Sequence, residues 1–140
     1  LRRLDMNWQR YFDDARGVGF LATAGRGGEV NIAVYSRPKV LRDGTFAFGM
    51  TDRLTHANLQ ENPHAVYAFQ QRGFQWVRLY LEKVREEEGG PVLEEVKARA
   101  DAIVGAGTGD QVRYLVCFRL TKALVLVGDA SPREEPSPVV

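Results

Sequence analysis

Two glycine turns, Arg26-Gly27-Gly28 and Asp43-Gly44, each lie between segments whose apolar side chains alternate with small or polar ones. Glycine takes positive φ at little steric cost, and Asp-Gly between alternating segments is a strong hairpin signal. A chain punctuated in this way is committed to antiparallel pairing. Residues 18–24 read as the first strand. Residues 29–35 read as the second, with Val30, Ile32 and Val34 on one side and Asn31, Ala33 and Tyr35 on the other. That strand is expected to run on to residue 41. Pro38 has no N–H to donate, so this part is an edge or a bulge. After Asp43-Gly44, Phe46, Phe48 and Met50 alternate with small residues in a strand at 45–50. Further strands are expected at 65–70, 74–83 and 112–127, which makes six.

Helical spacing appears three times. Leu4, Trp8, Tyr11, Phe12 and Ala15 share a face over 4–16, and Gly17 is a natural stop. A short helix over 53–61 can be capped by Thr51 or Asp52, and Asn62-Pro63 ends it. A third, over 91–103, opens with Pro91 and places Val92, Val96, Ala100 and Ile103 on one face. Arg85-Glu86-Glu87-Glu88 reads as a solvated charge run, and residues 131–140 as a disordered, proline-rich tail. The expected architecture is one mainly β (α+β) domain over residues 1–130. Its antiparallel strands form a small barrel with helices over the ends.

The charge balance narrows function. With 19 basic and 18 acidic side chains, the net charge of +1 gives no electrostatic case for a nucleic-acid or membrane partner. No stretch approaches the roughly 20 apolar residues of a membrane span, and no export signal is visible, so a soluble, cytoplasmic protein is expected. The single cysteine, Cys117, sits in an apolar run and reads as a buried, inert thiol. His56 and His64 have no third ligand at metal-binding spacing, although Asp52 and His56 could meet one helical turn apart. Gly105-Ala106-Gly107-Thr108-Gly109 follows a helix and enters a strand, the reverse of a phosphate-binding loop, and reads as a plain connection.

Two places carry chemistry. The strand ending at Met50 turns into a helix with Arg53, Leu54 and Thr55 at its start. Unpaired N–H groups at such a terminus form a ready phosphate site, and Arg53 opposes the helix dipole unless an anion lies between them. The competing reading is a capped helix with a solvated arginine. The second place is the polar side of residues 29–36, where Asn31, Tyr35 and Ser36 could hold a planar polar ring. Its competing reading is a plain solvent-exposed face.

Over 19–70 the order of these features resembles the pyridoxamine 5′-phosphate oxidase-like, FMN-binding split-barrel family. The likeness rests on Phe20-Leu21-Ala22-Thr23, Val30-Asn31-Ile32-Ala33-Val34, Asp43-Gly44-Thr45-Phe46-Ala47-Phe48, Arg53-Leu54-Thr55 and the helix ending at Asn62-Pro63. It is nearest to the small stand-alone FMN-binding proteins. The resemblance implies a six-stranded antiparallel split β-barrel with Greek-key-like connections, two or three peripheral helices, and FMN between the subunits of a homodimer. It implies a phosphate site at Arg53, Leu54 and Thr55, and a ring site at Asn31, Val34, Tyr35 and Ser36. Authentic pyridoxamine phosphate oxidases carry Ser-Arg-Lys where this chain has Arg53-Leu54-Thr55, and they end in an arginine- and histidine-bearing segment. The expected function is therefore flavin-dependent oxidoreduction or electron transfer other than that vitamin reaction. Arg37, Lys39 and Arg78 are candidates for facing the reduced ring. A haem or deazaflavin binder, or a cofactor-free dimeric interaction domain, are the alternatives. Dimerisation also has a footing in the residues, since the strands at 74–83 and 112–127 are apolar on both faces and a small barrel can bury only one.

Overall fold

The computed structural model describes residues 6–13, 16–71 and 76–133. Both turns form hairpins. Strands β1 (Gly17–Ala24) and β2 (Val30–Val34) pair antiparallel, with Phe20 opposite Val34 and Ala24 opposite Val30. Strands β3 (Lys39–Val40) and β4 (Phe46–Met50) pair across Asp43-Gly44. There the Asp43 carboxylate accepts hydrogen bonds from the Thr45 N–H and hydroxyl at 3.0 and 2.7 Å. Helix α1 (Trp8–Asp13) precedes these strands. They are followed by α2 (Leu54–Glu61), β5 (His64–Gln71), β6 (Val77–Glu87), α3 (Pro91–Ile103), a 3-10 turn at Thr108–Gln111 and β7 (Tyr114–Val125). The ends of the first expected helix (4–5 and 14–15), the start of the strand expected at 74–83, and most of the expected tail (134–140) lie outside the described residues.

The strands make one antiparallel sheet of seven, in the order β2-β1-β5-β6-β7-β4-β3. The count of six fails at residues 29–41, which do not form one strand. Residues 35–38, ending in Pro38, leave the sheet, and the segment divides into β2 and β3 at opposite edges. This division dictates the shape. Laid flat, seven strands would hold β2 and β3 about 29 Å apart, at ~4.8 Å per gap. The backbone from Val34 to Lys39 reaches at most roughly 18 Å. The sheet must curl until its edges approach, and the ladder between β2 and β3 stays open.

The concave side holds the main core, with Leu21, Tyr67, Phe69, Val77, Leu79, Leu81, Val116 and Phe118 buried around Phe46, Phe48 and Met50. Trp8 and Phe12 of α1 join it through edge-on ring contacts with Phe46 and Phe69. On the convex side α3 packs Leu93 and Val96 against Ala47, Leu115, Cys117 and Val112. Gly49 permits this approach, since a Cβ there would lie 2.6 Å from a Val96 methyl. Leu93, absent from the expected apolar face, is fully buried, whereas Ile103 is exposed. Only the first turns of α3 meet the sheet, and the last turn projects past it.

Two further expectations are corrected. Arg85, Glu86 and Glu87 are not a solvated run, because β6 continues through Glu87 and pairs them with Cys117, Val116 and Leu115 after a register shift. On β2 it is the apolar side, Val30, Ile32 and Val34, that faces out, at 84, 65 and 70% exposure, while Asn31, Ala33 and Tyr35 are half-buried. Cys117 is buried as expected, and burial pushes its thiol up.

The crossover between the edges is anchored at its start. The Tyr35 N–H donates to the Gly19 carbonyl at 2.9 Å, and the buried Tyr67 hydroxyl donates to the Tyr35 carbonyl at 3.0 Å. A methyl group on Gly19 would overlap the Tyr67 hydroxyl and crowd the Tyr35 carbonyl. Overpacking a buried site costs about 1–3 kcal/mol. Gly19→Ala is expected to lower the urea unfolding midpoint by that amount with the m-value unchanged. An unchanged midpoint would show that this anchor does not constrain the fold.

Candidate functional site

Helix α2 begins where β4 ends, and its start differs from the expected cap. Arg53, in extended backbone, is itself the N-cap, and no side chain caps the helix, so neither Thr51 nor Asp52 serves. The first N–H groups of the helix therefore lack both intrahelical and capping acceptors. Arg53 reaches instead to Gln111, donating to its Oε1 at 3.1 Å.

Buried side chains hold this helix start in place. The His56 ring stacks on Tyr114 of β7, with centroids 3.8 Å apart and planes 7° from parallel. Its Nε2 lies 2.8 Å from Oε2 of Glu86 on β6, and its Nδ1 lies 3.8 Å from Asp52. Burial alone would raise the Glu86 carboxyl, but hydrogen bonds from His56 and Gln60 and the charge of Lys83 bring it below its ordinary value. Asn58 donates to the Thr23 hydroxyl at 3.1 Å and ties the helix to β1. Asp52 and His56 thus do meet one turn apart. Among the described residues no three His, Cys, Asp or Glu side chains gather as a metal ion would need.

Beside this helix start a cleft of about 620 Å³ runs along the free edge of β2. All seven residues singled out in the sequence line it: Asn31, Val34, Tyr35, Ser36, Arg53, Leu54 and Thr55. Because the cleft follows the strand edge, residues from both sides of β2 contribute. Tyr35 belongs to both proposed halves of the site. Burial raises its phenol, opposed by a hydrogen bond with Thr55 and by the Arg53 charge. The opposite wall is the C-terminal half of α3 and the connection after it, with Val96, Arg99, Ile103, Val104 and Thr108. The glycine-rich segment connects α3 to β7 as expected, and Thr108 within it lines the cleft.

The structure separates the three basic candidates. Arg37 lines the cleft. Lys39 does not, and pairs with Glu95 at 2.5 Å. Arg78 is engaged elsewhere by the Val125 and Gly128 carbonyls and Asp129. A cation that sequence reasoning missed, Arg99, joins Arg37. It donates to the Arg37 carbonyl at 3.1 Å, and burial and the Arg37 charge hold it below the ordinary arginine value. Its position on α3, three residues past Val96, was the available signal. Three arginines and no carboxylate line the cleft. Such a lining suits an anion, and the volume falls within the roughly 300–1,000 Å³ of small-molecule sites. The uncapped helix start, Arg53 and Thr55 fit a phosphate, and the β2 edge fits the flank of a flat ring.

No helix among the described residues is long and apolar enough to cross a membrane. No protein-family profile matches the sequence, and no curated protein matches it significantly. Solved structures do. An FMN-binding protein from Syntrophomonas wolfei subsp. wolfei superposes with a TM-score of 0.71 at 23% identity, over 89% of this chain and 87% of that one. HupZ from Group A Streptococcus gives 0.66 at 19% identity, over 89% and 95% of the two chains. A Lactobacillus delbrueckii protein named after pyridoxamine 5′-phosphate oxidase gives 0.62 at 13% identity, over 86% and 93%. The chain thus has the split-barrel fold of the pyridoxamine 5′-phosphate oxidase-like, FMN-binding proteins, the family its sequence motifs resemble.

Proposed function

We propose that the cleft holds FMN and that the protein works as a flavin-dependent oxidoreductase or electron carrier. One observation carries the reading: a cleft lined by three arginines and no carboxylate opens against an uncapped helix start. The N–H groups of α2, the Thr55 hydroxyl and the Arg53 guanidinium would receive the phosphate. Asn31, Val34, Tyr35 and Ser36 would set the position of the ring. Bound flavin supplies the redox chemistry, and the chain supplies orientation and electrostatics. The half-buried Tyr35 phenol, which burial keeps neutral, offers a hydrogen-bonding group between phosphate and ring ends.

A homodimer is part of the same proposal. The convex face of β4 and β7 is covered by α3, but nothing among the described residues covers the corresponding face of β2, β1 and β5. There Ile32, Ala22 and Val66 lie in register, beside Val34, Phe20 and Ala68. Leu54, 58% exposed, adds apolar surface beside the cleft. A second copy seated on this face would shield the apolar row and complete the cleft along the β2 edge.

FMN is expected to raise the thermal midpoint well beyond riboflavin, which lacks the phosphate. At 100 times its dissociation constant a ligand adds about 2.7 kcal/mol. Equal shifts for the two would refute the phosphate site. An absorbance spectrum of the purified protein separates flavin from haem or deazaflavin.

Arg53→Ala is expected to weaken FMN roughly tenfold to a hundredfold, the equivalent of losing a charge-assisted hydrogen bond of about 1.5–3 kcal/mol. A titration identical to that of the parent protein would move the phosphate elsewhere.

Light scattering should find a dimer of the 15.7 kDa chain. Ile32→Glu is expected to yield monomers with weakened FMN binding. A monomeric parent protein that binds FMN tightly would defeat the shared-site proposal.

A further inference from the structure

We propose that Arg99 is a positioning residue for the ring end of the cleft. Through the Arg37 carbonyl it holds the second half of α3 against the crossover between β2 and β3, and so sets the width of the opening there. This role deepens the flavin reading and rests on it only for what lies between the walls.

The cleft has two walls from different parts of the chain. One is the β2 edge with the crossover, and the other is α3 from Val96 onward with the connection after it. The second wall is one unit, because the buried Gly109 donates its N–H to the Asp101 carboxylate at 2.7 Å and ties the connection back to the helix. Leu93 and Val96 seat the first turns of α3 on the sheet. Ile103 and Val104 are 61 and 72% exposed, so apolar packing does not place the far end. Polar links to the crossover do that. Lys39 pairs with Glu95, and one turn later Arg99 donates from Nη2 to the Arg37 carbonyl at 3.1 Å.

The two links are unequal. The Lys39 and Glu95 side chains are 36 and 61% exposed, and an ion pair so open to water contributes little. Arg99 is half-buried and lines the cleft, and a charged donor makes one of the stronger hydrogen bonds. The carbonyl it grips lies two residues after that of Tyr35, which Tyr67 holds from the core. The crossover is thus pinned by Tyr67 from the concave side and by Arg99 from the convex side. Releasing Arg99 leaves Tyr35 attached to the sheet and lets the opposite wall swing away, so that a ring between the walls loses one of them. The phosphate position is spared, since α2 is held by β1, β6 and β7 through Asn58 and His56.

The test is a titration of the protein and its variants with FMN and with riboflavin, read by flavin fluorescence and by absorbance at saturation. Arg99→Met keeps the apolar stem and loses the donor. It should weaken both flavins alike, each about tenfold, keep the preference for FMN within twofold of the parent's, and shift the saturated spectrum. Arg99→Ala should behave in the same way and serves if Arg99→Met does not fold. Arg53→Ala should instead erode the preference for FMN. Arg99→Lys retains an N–H donor for the carbonyl and should recover most of the affinity and the parent spectrum, which a loss of general stability would not explain. Lys39→Ala breaks only the exposed link and should leave both affinities within twofold. The proposal is overturned if the variants without a donor bind both flavins as the parent does, if they weaken FMN alone, if Arg99→Lys binds no better than they do, or if Lys39→Ala loses as much. If the parent protein takes up no flavin, the flavin reading fails, and amide hydrogen exchange of the cofactor-free protein still decides the role of Arg99. Arg99→Met should then speed exchange over residues 100–104 at least threefold and leave α2 unchanged, and equal rates in parent and variant would overturn it.

Discussion

The four residues between β2 and β3 set the constraint on which the rest of the structure depends. They join strands that lie at opposite edges of a seven-stranded sheet, and they are too few to cross a flat one. The hydrogen bond from Tyr67 to the Tyr35 carbonyl holds the start of this span, and the missing N–H of Pro38 keeps it out of the ladder. Curling the sheet creates the concave core, and the unzipped seam creates the cleft. Core and site therefore have one cause. Tyr35 and Arg37, which line the cleft, belong to the very segment that bends the sheet.

Helix α2 shows how the site is made rigid from behind. Its exposed start offers N–H groups, Leu54 and Arg53 to the cleft, while its buried side grips three strands through His56, Asn58 and Leu59. Leu59 packs in the core, while His56 and Asn58 grip through polar contacts, which fix orientation more sharply than apolar packing does. The Arg53 side chain, by contrast, rests on the exposed amide of Gln111 and can exchange it for an anion with little loss.

Much of this was legible in the sequence, and the failures share a physical pattern. Local signals told correctly: the Asp43-Gly44 hairpin, Pro91 at the head of α3 and the stop at Asn62-Pro63 follow from backbone chemistry within a few residues. The seven cleft residues were legible because a strand and a helix start each announce themselves locally. What escaped depends on contacts far along the chain. Glu86 looked like part of a solvated run until His56, thirty residues away, supplied its partner. Arg99 carries no local signal of its partner, because the crossover brings the Arg37 carbonyl to it from 62 residues away. Pro38 signalled an edge or a bulge within residues 29–41, but the division into two strands at opposite edges is a property of the whole sheet.

The two free edges of the sheet are unequal. β3 offers two residues, next to a proline, whereas β2 offers five with apolar side chains standing outward. A fibril of stacked strands needs each molecule to present a templating edge on both sides, so that every addition regenerates the growing end. This sheet has only one edge long enough to template. Any strand-to-strand association that consumes β2 leaves nothing at β3 for the next copy to extend, so edge-to-edge growth terminates after its first step.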